Sequence, residues 1–205
     1  MKPNENTERL HDMTQLIKRM SAFLLCLMLL MGAYTETALA APDWPSGVSV
    51  QAESGIVIDA DTGTVLWGQN IHNQYFPASI TKIMTALIVI EKCSLDETVT
   101  FSHNAVFNVE AGSSNAGINE GDKLSVKDCL YALLLKSANE SANALAEHVA
   151  GSTEAFADMM NAKAKELGCT DTHFANPSGL NNPEHYTSTY DMALIARAAF
   201  LRSEE

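Results

Sequence analysis

The sequence predicts a mixed α/β (α+β) chain, and three observations lead there. A β-rich hairpin lies near the start, apolar residues at helical spacing follow from Ile80 onward, and two later segments open on capping-box patterns. Gly55-Ile56-Val57-Ile58 and Thr64-Val65-Leu66-Trp67 are strand-forming runs around Asp59-Ala60-Asp61-Thr62-Gly63, a turn-forming stretch. Pro77-Ala78-Ser79 leads into a helix in which Ile80, Ile83, Met84, Leu87 and Ile90 share a face. Ala86 and Val89 add apolar surface on its flanks, so this helix is expected to be largely buried. Residues 98–121 are polar and rich in Gly, Asn and Ser, which reads as loop with at most short helices. Ser125-Val126-Lys127-Asp128 opens a helix to about Leu135, and Ser137-Ala138-Asn139 interrupts it. A helix from about Glu140 to Ala150 stops at Gly151, and another from Thr153 to Leu167 stops at Gly168. Asn176-Pro177-Ser178-Gly179 and Asn181-Asn182-Pro183 are turns, and Ser188 to Asp191 starts a final helix. A lone hairpin is marginal, so the fold is expected to be incomplete at the C-terminus.

The 205 residues carry a net charge of −12, a surface that repels phosphate backbones, so no nucleic-acid partner is expected. Residues 1–40 read as a signal peptide. Lys18 and Arg19 form a cationic start, Met20 to Ala33 is nearly unbroken apolar sequence, and Ala38-Leu39-Ala40 is a cleavage pattern before Ala41. The apolar run is short for a membrane span, which needs about 20 residues. An uncleaved anchor stays open, as do starts at Met13 or Met20. A lipid-attachment signal at Cys26 is disfavoured by Leu25 before it. Pro42 to Pro45 looks like a linker. Beyond residue 40 the cysteines are Cys93, Cys129 and Cys169, an odd number that closes no disulfide framework. Cys129 reads as a small core residue. No C-x-x-C or paired histidine spacing points to a metal, and no cofactor is expected.

Ser79-Ile80-Thr81-Lys82 is the first chemical candidate. Residues three apart on a helix share a face, so the Lys82 amine can reach the Ser79 hydroxyl. A serine attacks only once a base takes its proton, and a lysine serves if desolvation lowers its pKa. At the helix start, free backbone N–H groups could also hold an oxyanion. Alone, S-x-x-K arises by chance in roughly half of chains of this size. Ser137-Ala138-Asn139 is the second candidate: Ser137 could shuttle a proton, and Asn139 could hold Lys82 and a substrate amide. Ser102-His103-Asn104 and Ser113-Ser114-Asn115 show how common S-x-N is. His72, His103, His148, His173 and His185 read as exposed or hydrogen-bonded structural residues. No G-x-S-x-G elbow supports a Ser-His-Asp triad.

S-x-x-K followed by S-x-N resembles the penicillin-binding proteins and serine β-lactamases. Pro77 to Ala86, and Leu133 to Ala146, are similar to the corresponding segments of low-molecular-mass D-alanyl-D-alanine carboxypeptidases (peptidase S11), where S-G-N-D-A-A is usual for the second. Met160 to Gly168, Phe174 to Leu180 and Tyr190 to Ala193 add to the likeness, which covers Ser54 to Phe200. No E-x-x-L-N segment of a class A β-lactamase is present. The resemblance implies a serine β-lactamase/transpeptidase-like fold, an antiparallel sheet flanked by helices with a helical lobe. It implies Ser79 as the acylated nucleophile, Lys82 as base, Ser137 in the catalytic cleft and Asn139 binding substrate. It also implies peptidoglycan stem peptides ending in D-Ala-D-Ala as substrate, β-lactams as mimics, and an extracytoplasmic place in a bacterial cell envelope. The family's K-T-G strand is not found, nor its C-terminal domain and membrane-associating helix, so residues 41–205 are expected to be the N-terminal portion of the catalytic domain. Alone they are expected to fold poorly and not to catalyse. A truncated, non-catalytic cell-wall-binding protein and a related transpeptidase or endopeptidase remain as alternatives.

Overall fold

The computed structural model describes residues 14–16, 18–21, 23 and 50–203. The chain divides into two units, residues 1–43 and 44–205. In the first unit the described residues are helical, and among the described residues no helix is long and apolar enough to cross a membrane. The cleavage pattern at Ala38 to Ala40 and the linker lie outside the described residues.

The second unit opens with strands β1 (Gly55–Ile58) and β2 (Val65–Gln69), paired antiparallel as the turn chemistry predicts. Asp59 builds the turn: its carboxylate accepts from the Thr62 amide and hydroxyl, each at 2.7 Å, and its carbonyl accepts from Gly63 at 2.8 Å. Strand β3 (Gln74–Tyr75) then precedes a 3₁₀ turn at Ala78–Thr81 and helix α1 (Lys82–Lys92). Residues 98–121 hold more structure than a loop. They contain β4 (Thr98–Thr100) and a short helix α2 (His103–Phe107), and β4 pairs with β5 (Lys123–Ser125) just beyond. Helices α3 (Val126–Leu135), α4 (Asn139–Ala150) and α5 (Thr153–Glu166) follow, then β6 (Thr187–Ser188) and α6 (Thr189–Ser203). The short β6 pairs back to β3. Strand pairing is antiparallel throughout, divided among the described residues into three two-stranded ladders.

Local chemistry sets the helix ends. Ser102, Ser125 and Ser152 each accept a backbone N–H from three residues ahead, at 2.9, 3.1 and 3.1 Å. Gly151 closes α4 in the left-handed region at φ 84°, which a residue with a Cβ adopts only under strain.

Helix α1 is the hub and packs against α3, α4, α5 and α6. Met84, Leu87, Ile88 and Val89 meet Leu133, Leu145, Phe156, Met160 and Ile195 in one core. Each such side chain contributes about 1.5–3 kcal/mol on burial. Cys129 is fully buried in the same core, as expected of it. Of the expected stripe, Met84 and Leu87 are buried and Ile83 is half-buried, whereas Ile80 in the 3₁₀ turn and Ile90 near the end of α1 are exposed. Ile90, Leu134 and Phe200 border an apolar groove between α1 and α6. Helix α4 is buried from Asn139 to Ala146 because its small side chains admit close neighbours. Two of its polar side chains are bonded internally: Ser141 donates to the Cys129 carbonyl at 2.8 Å, and Asn143 donates to those of Ala105 and Asn108.

Asp191 ties the start of α6 to the segment after α5. Its buried carboxylate accepts from the Asp171 amide at 2.7 Å, the Thr172 hydroxyl at 2.6 Å and the Thr170 amide at 3.4 Å. Asp191→Ala leaves these donors without their acceptor and is expected to lower stability by about 2–4 kcal/mol. A shift in the urea midpoint measures it, and an unchanged midpoint would contradict this account.

Candidate active site

Three chain segments converge on Ser79. The first is the 3₁₀ turn that carries it. Ser79 lies inside this turn, and the α-helix begins only at Lys82. The expected placement at an α-helix start is thus shifted by one tight turn. A 3₁₀ turn has three residues per revolution, so side chains at i and i+3 eclipse, which stacks Lys82 directly against Ser79. The Lys82 amine donates to Ser79 Oγ at 3.1 Å. Ser79 is exposed while Lys82 is buried, so the hydroxyl is open to a ligand and the amine is sheltered from water.

The second segment is the turn between α3 and α4. Ser137 Oγ donates to Ser79 Oγ at 2.8 Å across 58 residues of sequence. Ala78 and Ser137 both sit at positive φ, 48° and 55°. That backbone costs about 1–3 kcal/mol per residue, and the packing around the site sustains it. Asn139 is brought near as the first residue of α4, but its amide donates to Ser113 Oγ at 2.9 Å. Its backbone N–H bonds the Ser114 carbonyl at 3.0 Å. Among the described residues no hydrogen bond joins Asn139 to Lys82, because the residue 113–114 segment engages its amide instead.

The third segment is the turn at Asn176 to Gly179, which lies within the Phe174 to Leu180 likeness. The Lys82 amine donates to the Ser178 carbonyl at 2.6 Å, and the Thr85 hydroxyl donates to the Pro177 carbonyl at 2.6 Å. Asn176 Oδ1 shapes the turn by accepting from the backbone N–H groups of Ser178, Gly179 and Leu180. Gly179 passes so close that a Cβ would run into the Ala78 carbonyl, and its φ is 82°. His185 supports the same corner. Its Nδ1 accepts from the Ala175 N–H at 3.0 Å, which leaves Nε2–H to donate to Thr81 Oγ1 at 2.8 Å. Burial, with a smaller contribution from His173, pushes its pKa down to about 4, so it is a neutral structural histidine near pH 7.

Burial likewise lowers the Lys82 pKa to about 8, and the negative charge of Glu140 partly opposes this. Glu140 is a site residue that motif reasoning passed over. It is buried at 2% exposure, its Oε1 accepts from the Ala116 N–H at 2.6 Å, and its Oε2 has no partner. The signal available was an acidic residue directly after S-x-N at a helix start. Together these groups can take a proton from Ser79, hold it on a buried amine and pass it on through a second hydroxyl. Among the described residues one group of three metal-ligating side chains lies together, Cys93, Glu97 and His148, away from Ser79 beyond the other end of α1.

Gly179→Ala is expected to cost about 2–4 kcal/mol, since it adds a clash with backbone to left-handed strain. It should also draw the Ser178 carbonyl away from Lys82. Denaturant unfolding measures the loss, and wild-type stability would show that the close approach relaxes freely.

The chain is similar to known proteins in both sequence and fold. The family described as "D-alanyl-D-alanine carboxypeptidase", Peptidase_S11, matches residues 36–204. The chain is 37% identical over 185 residues to D-alanyl-D-alanine carboxypeptidase DacF of Bacillus subtilis, covering 87% of itself and 46% of that protein. Its fold is similar to penicillin binding protein 6B from Escherichia coli, with a TM-score of 0.74 and 35% identity, over 78% of this chain and 53% of that one. A mutant of a Streptomyces DD-transpeptidase gives a TM-score of 0.72 and 31% identity, over 77% and 64%. The chain spans about half the length of the curated relatives it matches, 46% for DacF. With the matched residues running from the hairpin through α6, the chain belongs to the peptidase S11 family of D-alanyl-D-alanine carboxypeptidases.

Proposed function

We propose that this chain carries the acylating serine site of a D-alanyl-D-alanine carboxypeptidase, with residues 41–205 as the N-terminal portion of the catalytic domain. The substrate is a peptidoglycan stem peptide ending in D-Ala-D-Ala, and the place of action is the bacterial cell envelope, reached through the signal peptide at residues 1–40. Ser79 Oγ attacks the penultimate D-Ala carbonyl as its proton moves to the neutral amine of Lys82. The proton then passes by way of Ser137 to the departing D-Ala nitrogen as the C–N bond breaks. Water, deprotonated in its turn, cleaves the Ser79 ester. Asn139 steadies the cleft wall and meets the substrate amide. A β-lactam follows the first step and leaves an acyl group on Ser79.

The observation that carries this reading is the Ser79 hydroxyl held 3.1 Å from a buried amine and 2.8 Å from a second hydroxyl. The test is labelling of the full-length product with a fluorescent penicillin, followed by mapping of the acyl group. Label is expected on Ser79 and lost in Ser79→Ala at unchanged circular dichroism. Label retained at another residue would overturn the assignment. The likeness to a DD-transpeptidase favours transfer to an amine as the second reading. Release of D-Ala with water as acceptor, against formation of a cross-linked product, separates the two.

The Lys82 pKa predicts a pH dependence. With a value of about 8, about a tenth of the amine is neutral at pH 7, and only that fraction can act as base. The acylation rate should rise about tenfold per pH unit below 8 and level off above it. Glu140→Gln should move the midpoint down, because the carboxylate is what opposes the effect of burial. Stopped-flow acylation across pH 6 to 10 reads both, and a flat profile would assign the proton to another group.

A further inference from the structure

Away from the serine site, the far end of α1 gathers a second set of reactive side chains. Cys93 is the residue that ends α1, Glu97 lies four residues on in the turn before β4, and His148 comes from the last turn of α4. Their ligand atoms all lie within 4.8 Å of one another. Lys82 and Cys93 are separated by the length of α1, roughly 16 Å at 1.5 Å per residue. We propose that Cys93, Glu97 and His148 form a zinc site that pins the C-terminal end of α1 to α4.

Four features carry the proposal. The donor set is a thiol, an imidazole and a carboxylate, which suits Zn²⁺ and excludes hard cations that avoid sulfur. The spacing is nearly right as it stands. Glu97 Oε2 and His148 Nε2 are 2.9 Å apart, and ligand bonds of about 2.0–2.3 Å set tetrahedral edges of roughly 3.3–3.7 Å. The thiol lies within 4.8 Å of both other ligand atoms, so its two edges need to shorten by about 1 Å at most. The frame is also rigid. The Cys93 N–H bonds the Val89 carbonyl at 2.9 Å, the Glu97 carbonyl accepts from Val126 at 2.9 Å, and the Leu95 carbonyl accepts from Lys127 at 2.9 Å. Glu97 Oε1 accepts from the Ser94 N–H at 2.5 Å, which aims the other oxygen at His148. Finally, Cys93 is a free cysteine, half-buried, and not engaged in a disulfide.

Zinc binding here replaces the Glu97–His148 hydrogen bond. Nε2 turns its lone pair to the metal and its ring proton moves to Nδ1. The Cys93 thiol forms its bond to zinc by releasing its proton to solvent. Three protein donors leave a fourth position for water, because Glu97 and His148 both face solvent.

The test uses metal-free full-length protein and Co²⁺ as a spectroscopic stand-in for Zn²⁺. One equivalent of Co²⁺ should bring up a thiolate-to-cobalt charge-transfer band, and Zn²⁺ should bleach it. Cys93→Ser should abolish the band and weaken Zn²⁺ binding at least about tenfold, since even loss of an outer partner costs about 10–100-fold. His148→Gln should weaken binding as much while keeping the band at higher Co²⁺. Zn²⁺ should raise the Tm of the wild type and of neither variant. No band at millimolar Co²⁺, or the same band in Cys93→Ser, would overturn the proposal. These readouts are independent of Ser79 acylation, so the zinc site can fail while the serine site stands.

Discussion

The buried amine of Lys82 is the constraint to which the surrounding structure answers. An ammonium or amine removed from water must find acceptors, and here they are Ser79 Oγ and the Ser178 carbonyl. Supplying the carbonyl requires the turn at Asn176 to Gly179 to lie against the 3₁₀ turn. That approach requires a glycine at 179, because any Cβ would strike the Ala78 backbone. Thr85 and Pro177 tie the same two segments a turn further along, and His185 braces Thr81 from the other side. The geometry around one side chain therefore dictates residues almost a hundred positions away.

Packing is what sustains this arrangement. Ala78 and Ser137 hold positive φ without being glycine, and such backbone persists only where the surroundings over-determine it. Helix α1 supplies the rigidity, with Met84, Leu87, Ile88 and Val89 buried against four other helices. The small, almost wholly buried face of α4 lets the Ser137 turn come close enough for its hydroxyl to bond Ser79. Glu140, one residue into that helix, sets a negative charge beside Lys82 and keeps its pKa from falling further. Desolvation and a buried carboxylate thus act in opposite directions on one amine, and desolvation wins.

The ends of α1 are then two different chemical environments on one rigid element. The N-terminal end meets the 3₁₀ turn, where an exposed hydroxyl stands over a buried base. The C-terminal end meets a thiol, an imidazole and a carboxylate. The same packing that desolvates Lys82 also fixes the register of α1 against α4, and so brings His148 to Cys93.

Much of this protein was legible in its residues alone. The Asp59 to Gly63 turn, the serine caps and the glycine stops depend on neighbours within a few positions, and local chemistry placed them. The pairing of Ser79 with Lys82 is also local, being a spacing of three. Tertiary structure decided what spacing could not. Four S-x-N tripeptides occur, and only the one at Ser137 reaches Ser79, while Ser141 donates to the Cys129 carbonyl instead. Ser102 caps α2, and Ser113 accepts from Asn139. The carbonyl that holds Lys82 lies 96 residues away from it, in a turn whose composition announced a bend and no partner. The β4–β5 ladder was hidden in polar sequence, because short strands identify themselves by pairing more than by composition. How much of the α1 stripe is buried was decided by four packing helices, which enclose Met84 and Leu87 and leave Ile90 outside. Contacts within a turn are written in adjacent residues, whereas desolvation and long-range hydrogen bonds exist only once the chain has closed on itself.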